Sequence, residues 1–452
     1  MITNETKSLL SVSRLFATLI VVLVTFTSQT QTRTVTIEEV GSQWQLRVDG
    51  EPFYIKGAGG EKHLDVLLEA GGNTIRTWGT DNAQEVLDLA EEKGLMVMMG
   101  LWVQHERHGF DYNNEARVKS QLENFRKEIR KYKGHPALLM WGIGNEYELN
   151  YSNTKVWKAV NDIAKMVQEE DPNHPTSTVT AGTNAEKLNF VMTQLPDIDI
   201  YGINTYGDVG NVKTVIKNGE FQGPYMITEW GPTGHWEITK TMWGASVEQS
   251  SSEKFTSYLK RYEENIASEP EQCIGSFAFL WGQKQEYTST WYGLFTEEGM
   301  PTEAIDALQF CWTGSYPENR APSLDSISSA GQSSLHNLIL ESGTKYSFTV
   351  NATDANDDKL NYRWELYLES TDKKSGGDAE GKPPIILGRI KGQRSPEITL
   401  KAPMQEGRYR LFVYVDDNEK VAYVNIPLYV EVNPDSAEKI QFKPQKLEPL
   451  AY

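Results

Sequence analysis

The sequence predicts an α/β fold, a (β/α)8 TIM barrel followed by a C-terminal immunoglobulin-like β-sandwich. Between residues 53 and 312, short β-rich apolar runs alternate with longer stretches of helical period, and eight such pairs can be counted. Eight pairs in about 260 residues match the usual size of this barrel. From about residue 321 to residue 433 the helical period is absent and apolar residues alternate, which is typical of short strands in a sandwich.

The barrel elements follow one another along the chain. Asp49 and Gly50, before the first strand, form a strong two-residue hairpin signal, and we expect that hairpin to cap the barrel floor. A doubly wound open sheet is the alternative, but no glycine-rich phosphate loop follows the first strand. The predicted strands span 53–59, 74–78, 96–103, 137–145, 176–181, 198–206, 225–230 and 273–281, and the predicted helices span 64–70, 83–93, 115–132, 154–170, 185–194, 212–217, 252–268 and 302–310.

The N-terminus has the pattern of an export signal. Lys7 and Arg14 precede an apolar run over residues 15–26, in which Thr18 and Thr25 are the only polar residues, and a polar stretch follows. This run is shorter than the roughly 20 residues that span a bilayer. No small-residue motif marks a cleavage point, so an uncleaved anchor is the alternative. We expect a secreted or periplasmic protein with no stable membrane insertion after signal removal.

The chain divides into four predicted segments. Pro317 and Pro322, with the serine-rich stretch after them, indicate a linker between barrel and sandwich. We expect the sandwich to be separable, so that a chain without residues 320–452 keeps its activity on short substrates. The segments are a signal peptide, 1–30; the barrel with a short N-terminal β-hairpin, 31–316; the sandwich, 317–434; and a C-terminal tail, 435–452.

Composition narrows the possible partners. The chain carries 62 acidic against 44 basic residues, which gives a net charge of −18. Phosphate backbones and anionic lipid headgroups would repel such a protein, so we expect no nucleic acid partner.

The candidate site residues lie where the predicted strands end. In a barrel of this kind the active site is at the C-terminal ends of the strands. Indole faces stack on the apolar faces of sugar rings, while amides and carboxylates bind hydroxyl groups, so the expected partner is a neutral oligo- or polysaccharide. The residues that fall at these ends are Arg76, Trp78, Trp102, Asn145, Glu146, Asn204, Tyr206, Glu229, Trp230 and Trp281.

Two of these residues are acids on separate strands, which is the arrangement that glycosidic cleavage needs. One carboxylic acid protonates the leaving oxygen, and the other attacks the sugar or activates water. Glu146 follows an apolar strand and Glu229 lies in YMITEWG, so both carboxyl groups are expected among apolar groups that can tune their pKa.

The motifs around both glutamates resemble those of a known clan of enzymes. WGIGNE at 141–146 and ITEWG at 227–231 are similar to the strand-four and strand-seven signatures of retaining glycoside hydrolases with a (β/α)8 barrel. FYIKGAGG and GGNTIRTWG, at the first two strands, resemble both the β-galactosidase/β-glucuronidase family and the β-1,3-glucanosyltransferases. The segment TWYGLFTEEGMPTEAIDAL is closer to the former, and the resemblance covers about residues 50–313.

The resemblance implies a mechanism and an assignment of the two acids. Glu146 would be the general acid/base and Glu229 the nucleophile. Such enzymes retain the anomeric configuration through a glycosyl-enzyme intermediate, with carboxyl groups about 5 to 5.5 Å apart.

The resemblance also implies roles for neighbouring residues. Asn145 would bind the sugar 2-hydroxyl, and Arg76 would lie beside the nucleophile and keep it ionised. Tyr206 would orient the nucleophile, and Trp281 would form the floor of the sugar subsite next to the cleaved bond. Asn204 occupies the place, two residues before Tyr206, where many relatives have histidine, and its role stays open.

The predicted function is exported, retaining hydrolysis of a neutral β-linked glycan, with β-glucan as the first candidate. A transglycosylase shares the first half-reaction and differs only in whether a sugar or water intercepts the intermediate. A non-catalytic carbohydrate-binding protein is the third possibility, and the presence of both glutamates argues against it. We expect no cofactor and no catalytic metal.

Three loops carry further polar or aromatic residues. His105, Glu106 and His108 follow the third strand and are too few to form a metal site, so we expect substrate contact or solvent exposure. The aromatic segments 232–246 and 282–300 are loops over the same mouth. They are expected to bound further sugar subsites, although aromatic residues of an inter-domain contact would look the same.

Two small features complete the sequence analysis. ATDANDDKLNYRW resembles the Asp-rich turn of polycystic-kidney-disease or cadherin-like modules, where Asp354, Asn356 and Asp358 could offer oxygens to Ca²⁺, but an Asx-rich β-turn is favoured. The only cysteines, Cys273 and Cys311, fall at the barrel floor, where they form either a disulfide or two buried free thiols.

Overall fold

The computed structural model describes residues 32–332 and 337–432. The predicted signal peptide, 1–30, and the predicted tail, 435–452, lie outside the described residues. The described chain begins with a three-stranded antiparallel sheet formed by β1, Val35–Val40, β2, Gln43–Val48, and β3, Glu51–Phe53.

This small sheet caps the barrel floor, as the hairpin signal predicts. The tight turn between β2 and β3 holds Asp49 at φ 53° and Gly50 at φ 84°, a conformation that favours these two residue types. Val35, Leu46 and Val48 pack against apolar side chains that point into the lower barrel, so the floor is closed by apolar packing.

Eight strands form the closed barrel, and every neighbouring pair is parallel. Chain order is followed around the barrel and the last strand pairs with the first, so the predicted (β/α)8 barrel is confirmed. The strands are β4, Ile55–Gly59; β5, Thr74–Arg76; β6, Met96–Leu101; β7, Leu138–Ile143; β8, Thr176–Ala181; β9, Ile200–Asn204; β10, Tyr225–Trp230; and β11, Cys273–Ala278.

The barrel strands are buried on both faces because helices cover the outside and side chains fill the inside. Every residue of β6, β7, β10 and β11 is buried. Inside, Phe277 lies so close to Gly57 that a Cβ at that glycine would be 2.4 Å from the ring. Glycine is therefore required at position 57 because any side chain there would clash with Phe277; no turn is involved.

Eight α-helices accompany the barrel strands. Helix α4 is typical of the amphipathic pattern, since Val156, Val160, Ile163 and Val167 are all buried. No helix of the described residues is long and apolar enough to cross a membrane. The helices are α1, Leu64–Glu69; α2, Ala83–Lys93; α3, Glu115–Tyr132; α4, Lys155–Glu170; α5, Ala185–Gln194; α6, Val212–Asn218; α7, Ser251–Arg261, continued by a π-helical turn at Tyr262–Ile266; and α8, Glu303–Thr313.

The two cysteines are free thiols in the structure, so the disulfide alternative is not adopted. Cys273 opens β11 and is buried, and Cys311 in α8 is partly buried. Burial raises the pKa of both thiols to about 12, which keeps them protonated and unreactive at neutral pH.

The C-terminal strands form two four-stranded sheets that pack face to face as a β-sandwich. All strand pairs are antiparallel except β13 with β19. The immunoglobulin-like assignment stays a prediction. One sheet has the order β12-β14-β17-β16 and the other β13-β19-β18-β15, with β12, Ser323–Ser328; β13, Leu338–Glu341; β14, Lys345–Thr353; β15, Asn361–Leu368; β16, Ile390–Lys391; β17, Glu397–Lys401; β18, Gly407–Asp416; and β19, Val421–Glu431.

The serine-rich stretch after Pro322 is not wholly a linker, which corrects the sequence interpretation. Residues Ser323–Ser328 form β12, the edge strand of the first sheet, and pair with β14. The strand is mostly polar, but Leu324 and Ile327 are buried in the sandwich core and hold it there by apolar packing.

The second sheet is buried on both faces because its outer face packs against the barrel. Leu411 and Val413 of β18 point into the sandwich core, while Phe412 and Tyr414 belong to a separate apolar cluster that contacts Met300 of the barrel. The alternation in the sequence predicts a strand with one apolar face; the second buried face is created by the domain contact.

A buried polar network also crosses this contact. Arg410 of β18 makes a two-point ion pair with Glu369, with both N···O distances 2.9 Å, and donates to the carbonyl oxygen of Ser246 in a barrel loop at 2.8 Å. Glu248 of the same barrel loop accepts a hydrogen bond from Asn425 of β19 at 2.6 Å. The two parts of the chain therefore share hydrogen bonds that water does not reach.

Replacing Arg410 with methionine is expected to lower the free energy of unfolding by about 3–5 kcal/mol, because the buried carboxylate of Glu369 loses its two-point cationic partner and keeps only the Lys373 ammonium, at 3.6 Å. Urea denaturation measures the change. Arg394 is exposed on the same sandwich, so Arg394→Met is the matched control and should change stability little. A loss below about 1 kcal/mol in Arg410→Met would contradict the structural importance of this network.

Candidate active site

The candidate site is built at the C-terminal end of the barrel, from polar residues at the ends of four strands. Arg76 is the last residue of β5 and Asn204 the last of β9, while Asn145 and Glu146 directly follow β7. Glu229 is the fifth residue of β10. Because all eight strands are parallel, these ends meet at one mouth, and the structure brings the predicted polar residues together.

Glu229 is held by three donors. Its Oε1 accepts hydrogen bonds from Arg76 Nη1 at 3.1 Å and from the Trp78 indole N–H at 2.9 Å. Its Oε2 accepts a hydrogen bond from the Tyr206 hydroxyl at 3.0 Å. One donor is cationic, and the three donors reach both carboxylate oxygens from two segments, the end of β5 and the residues after β9, so the carboxylate is fixed in position and orientation. Burial raises the pKa of Tyr206 well above its ordinary value, which keeps that hydroxyl a donor.

Glu146 has a different environment. Its backbone lies in the left-handed region at φ 49°, after Gly144 at φ 75°, and its N–H donates to the carbonyl oxygen of Val179 at 3.0 Å. A non-glycine residue in this region carries backbone strain, and such strain is concentrated at functional sites. Burial, and next the negative charge of Glu229, raise the pKa of Glu146 to about 7.

Asn204 connects the two carboxyl groups. Its Nδ2 donates to Glu146 at 2.9 Å and to the Oδ1 of Asn145 at 3.1 Å. Its own Oδ1 accepts from Arg76 at 3.3 Å. Arg76 also donates to Asn145 at 2.7 Å, and this guanidinium is only 2 % exposed. A buried network thus links the surroundings of Glu146 to those of Glu229, and the residue whose role the sequence leaves open lies at its centre.

An open cavity of about 1150 Å³ lies above these groups and contains both glutamates in its wall. It is larger than most pockets for single small molecules, which have roughly 300–1,000 Å³. Its aromatic lining consists of Trp78, Trp102, Trp236, Phe279 and Tyr287, besides Tyr206. Trp236 is 53 % exposed although it is a large apolar side chain, so it offers a free aromatic face to a ligand.

Two of the predicted binding residues do not face this cavity. Trp230 is fully buried and packs on Tyr258, with 5.1 Å between ring centroids, because adjacent residues of a strand point to opposite faces and Glu229 points inward. The prediction that Trp230 lines the mouth is therefore wrong. Trp281 is also buried; its indole N–H donates to the carbonyl oxygen of His63 at 3.3 Å, and it borders a separate cavity of about 310 Å³. Phe279, and not Trp281, lines the cavity that contains the two glutamates, so the expected subsite floor is not formed by Trp281.

The histidine loop after β6 supports the aromatic wall. His105 stacks on Trp102 with 4.8 Å between ring centroids, and its Nδ1 accepts from Arg107 at 3.0 Å. Burial lowers the pKa of His105 to about 4, so its ring is neutral. Glu106 instead accepts from the backbone of Ser152. His105 and Glu106 thus contact other groups of the protein.

The two aromatic loops have both of the roles that the sequence leaves open. Trp236 and Tyr287 line the cavity, whereas Trp243 packs on Tyr429 of the sandwich with 5.8 Å between ring centroids. A further part of the wall, residues 374–377, comes from the sandwich and is not predicted by the sequence. Only the pair of adjacent glycines in this segment signals an unusual loop.

The structure shows which side chains of the Asp-rich turn lie close together. Carboxylate oxygens of Asp354, Asp358 and Asp417 lie within 4.8 Å of one another. Asn356 does not join them, because its Oδ1 accepts from the backbone N–H of Arg320 at 2.9 Å. Asp354 also accepts from the backbone of two residues of its own turn, which is the hydrogen bonding of an Asx-turn.

Comparisons with known proteins agree with the geometry. A family described as "Glycosyl hydrolases family 2, TIM barrel domain" matches residues 59–314. A β-glucuronidase of Sus scrofa is 22% identical over 305 residues, 59% of this chain and 44% of that protein. The β-galactosidase BoGH2A of Bacteroides ovatus is 28% identical over 203 residues, 37% of this chain and 23% of that protein.

The chain spans less than half the length of these two relatives. Among solved structures, the apo β-glucuronidase 3 of Bacteroides uniformis is 13% identical with a TM-score of 0.45, and the match covers 88% of this chain and 52% of that one.

Proposed function

The chain belongs to family 2 of the glycosyl hydrolases, and on that basis we propose that it hydrolyses a neutral β-linked glycan with retention of the anomeric configuration. The observation that carries the proposal is the contrast between two carboxyl groups at one mouth. Glu229 accepts from three donors, one of them cationic, while burial raises the pKa of Glu146 to about 7. Such a contrast separates a nucleophile from a general acid.

The proposed reaction has two steps. First, a carboxylate oxygen of Glu229 attacks the anomeric carbon, Glu146 gives its proton to the glycosidic oxygen, and the bond to the leaving sugar breaks. The product of this step is a glycosyl ester of Glu229. Second, Glu146, now a carboxylate, takes a proton from water, whose oxygen attacks the same carbon and releases the sugar. Glu229 is then free and Glu146 protonated again.

The neighbouring polar groups position these two acids. Arg76 and Tyr206 fix the two oxygens of Glu229, so that an attacking lone pair is already oriented when the sugar binds. Asn204 donates to Glu146 and orients its carboxyl group. Asn145, with its Oδ1 occupied by Arg76 and Asn204, keeps its amide N–H groups for a sugar hydroxyl.

A neutral sugar fits the charges around the cavity. Among the described residues that line it, the cationic side chains are Arg261, Lys284 and Lys374, and each already has an acceptor. Arg261 donates to a loop hydroxyl at 2.8 Å, Lys284 pairs with Glu286 at 2.8 Å, and Lys374 donates to a carbonyl of its own loop. Acidic side chains outnumber them, so the carboxylate of a uronic acid would meet net repulsion.

Within the neutral glycans, β-glucan is our first candidate, since exposed aromatic faces suit the flat apolar faces of β-linked glucose rings. We also propose that the protein is exported, which rests only on the sequence pattern of residues 1–30.

Product analysis tests the proposal. The protein is incubated with β-linked gluco-, galacto- and manno-oligosaccharides of defined length and with an aryl β-glucuronide. The masses of the products are measured by mass spectrometry. We expect shorter gluco-oligosaccharides, whose new reducing ends are first formed as the β-anomer by NMR. Products longer than the substrate would indicate transglycosylation instead. Cleavage of the glucuronide alone, or of no glycan, would contradict the proposal.

A further inference from the structure

A loop of the sandwich forms part of the wall of the catalytic cavity. Residues 373–381, which we call the sandwich loop, lie between β15 and β16. Lys374, Ser375, Gly376 and Gly377 line the same cavity as the two glutamates. The wall of this cavity is therefore shared between the barrel and the sandwich.

An ion pair and hydrogen bonds connect the sandwich loop to the loop after β6. Asp378 accepts a hydrogen bond from Arg107 Nη1 at 2.7 Å, and its carboxylate lies 3.1 Å from His108 Nε2. The same guanidinium donates to the carbonyl oxygens of Ser375 at 3.1 Å and Gly376 at 3.3 Å. The Arg107 side chain is 10% exposed and that of Asp378 35%, so the ion pair is partly shielded from solvent and more effective than a fully exposed pair.

Hydrogen bonds also connect the sandwich loop to the loop after β11. Lys284 donates to the carbonyl oxygen of Gly377 at 2.7 Å, and the backbone N–H of Tyr287 donates to Glu380 at 2.7 Å. The Lys373 ammonium lies 4.5 Å from the centroid of the Tyr287 ring. Contacts on two sides define the position of the backbone at residues 375–377.

The position of the loop places it on the side of the general acid. Gly376 has φ 64°, and a Cβ at this glycine would lie 2.8 Å from the side chain of Leu149 and 2.9 Å from that of Arg107. Leu149 follows Glu146 by three residues and lines the cavity. Because the general acid must reach the glycosidic oxygen, the sugar that leaves in the first step has to lie beside Glu146.

We propose that the sandwich loop forms the subsite for the leaving part of a β-linked glycan, with backbone polar groups and the Ser375 hydroxyl binding sugar hydroxyls. The inference rests on the proposed function, since it assigns the leaving side from the role of Glu146. It makes the sandwich part of the substrate site. The expectation that a chain without residues 320–452 keeps its activity therefore no longer follows.

Binding to an inactive protein tests the subsite. In the Glu229→Gln protein, Asp378→Ala removes the partner of Arg107 and His108. We expect the affinity for β-1,3- and β-1,4-linked glucotetraose, relative to that for glucose, to fall about tenfold or more by calorimetry. Asp325→Ala removes an exposed carboxylate on β12 and is the matched control, for which we expect no change. Thermal melting checks that each variant is folded.

A second variant and a kinetic ratio keep the test decisive. Gly376→Val should displace the loop from Leu149 and give the same fall, even if Asp378→Ala does not fold. In the active protein, both changes should lower kcat/KM for the oligosaccharide relative to that for an aryl monoglycoside. Unchanged ratios in folded, active variants would overturn the subsite alone. Weaker binding without any hydrolysis would overturn the proposed reaction alone, and a parent protein that binds no tetraose would overturn both.

Discussion

Glu229→Gln is expected to abolish turnover of any glycoside that the wild-type protein cleaves. The amide keeps the size of the side chain but cannot form the glycosyl ester, and loss of a covalent nucleophile costs roughly 10⁴-fold or more in kcat. Steady-state assays with the best substrate of the panel measure the loss. Glu69 is exposed at the end of α1, so Glu69→Gln is the matched control and should be fully active.

Azide identifies the role of Glu229 beyond the loss of activity. In Glu229→Ala the missing side chain leaves room for azide to attack the anomeric carbon directly, which gives a glycosyl azide of inverted configuration. NMR of the product distinguishes the two anomers. A retained azide, formed with Glu229→Ala, would reverse the assignment of Glu229 and Glu146.

Glu146→Gln is the second change with a large expected effect, and that effect depends on the leaving group. A sugar leaving group needs the proton of Glu146, so kcat/KM for the oligosaccharide should fall about 10²- to 10⁴-fold. A dinitrophenolate leaves without protonation, and formation of the glycosyl ester from such a glycoside should be nearly as fast as in the wild type. Burst kinetics with the activated substrate measure this step. Equal losses on both substrates would contradict the role of Glu146 as an acid.

The same residue sets the expected pH dependence. Burial and the charge of Glu229 raise the pKa of Glu146 to about 7, and the acid is active only while protonated. The kcat/KM for a sugar leaving group should therefore be full below this pKa and fall about tenfold per pH unit above it. In Glu146→Gln, measured with the activated substrate, this alkaline limb should be absent. A limb that persists unchanged would assign the titration to another group.

The polar residues of the mouth can be predicted because a rule of the fold selects them. A parallel barrel collects its strand ends at one edge, so Arg76, Asn145, Glu146, Asn204 and Glu229 meet although they are far apart in the chain. Their hydrogen-bond partners are not predictable in the same way. The role of Asn204 depends on distances of about 3 Å to Asn145 and Glu146 after β7 and to Arg76 of β5, which no local pattern encodes.

The errors among the indoles have a geometric cause. Near a strand end, the register decides whether a side chain points into the barrel or toward the helices, and a shift of one residue reverses the direction. Trp230 follows the inward Glu229 and therefore packs on Tyr258. Trp281 lies beyond the end of β11, where the chain has left the strand and alternation no longer applies.

Periodicity, strand-end position and the two glutamate motifs were sufficient to predict the barrel, the following β-sandwich and the meeting of two glutamates at one mouth, because each depends on residues close together in the chain or on a general rule of the fold. The tertiary structure alone revealed that β18 and β19 are buried on both faces and that Arg107 and Asp378, 271 residues apart, hold a sandwich loop at the catalytic cavity. Such contacts depend on how two folded surfaces fit together, and short-range sequence patterns carry no signal for that fit.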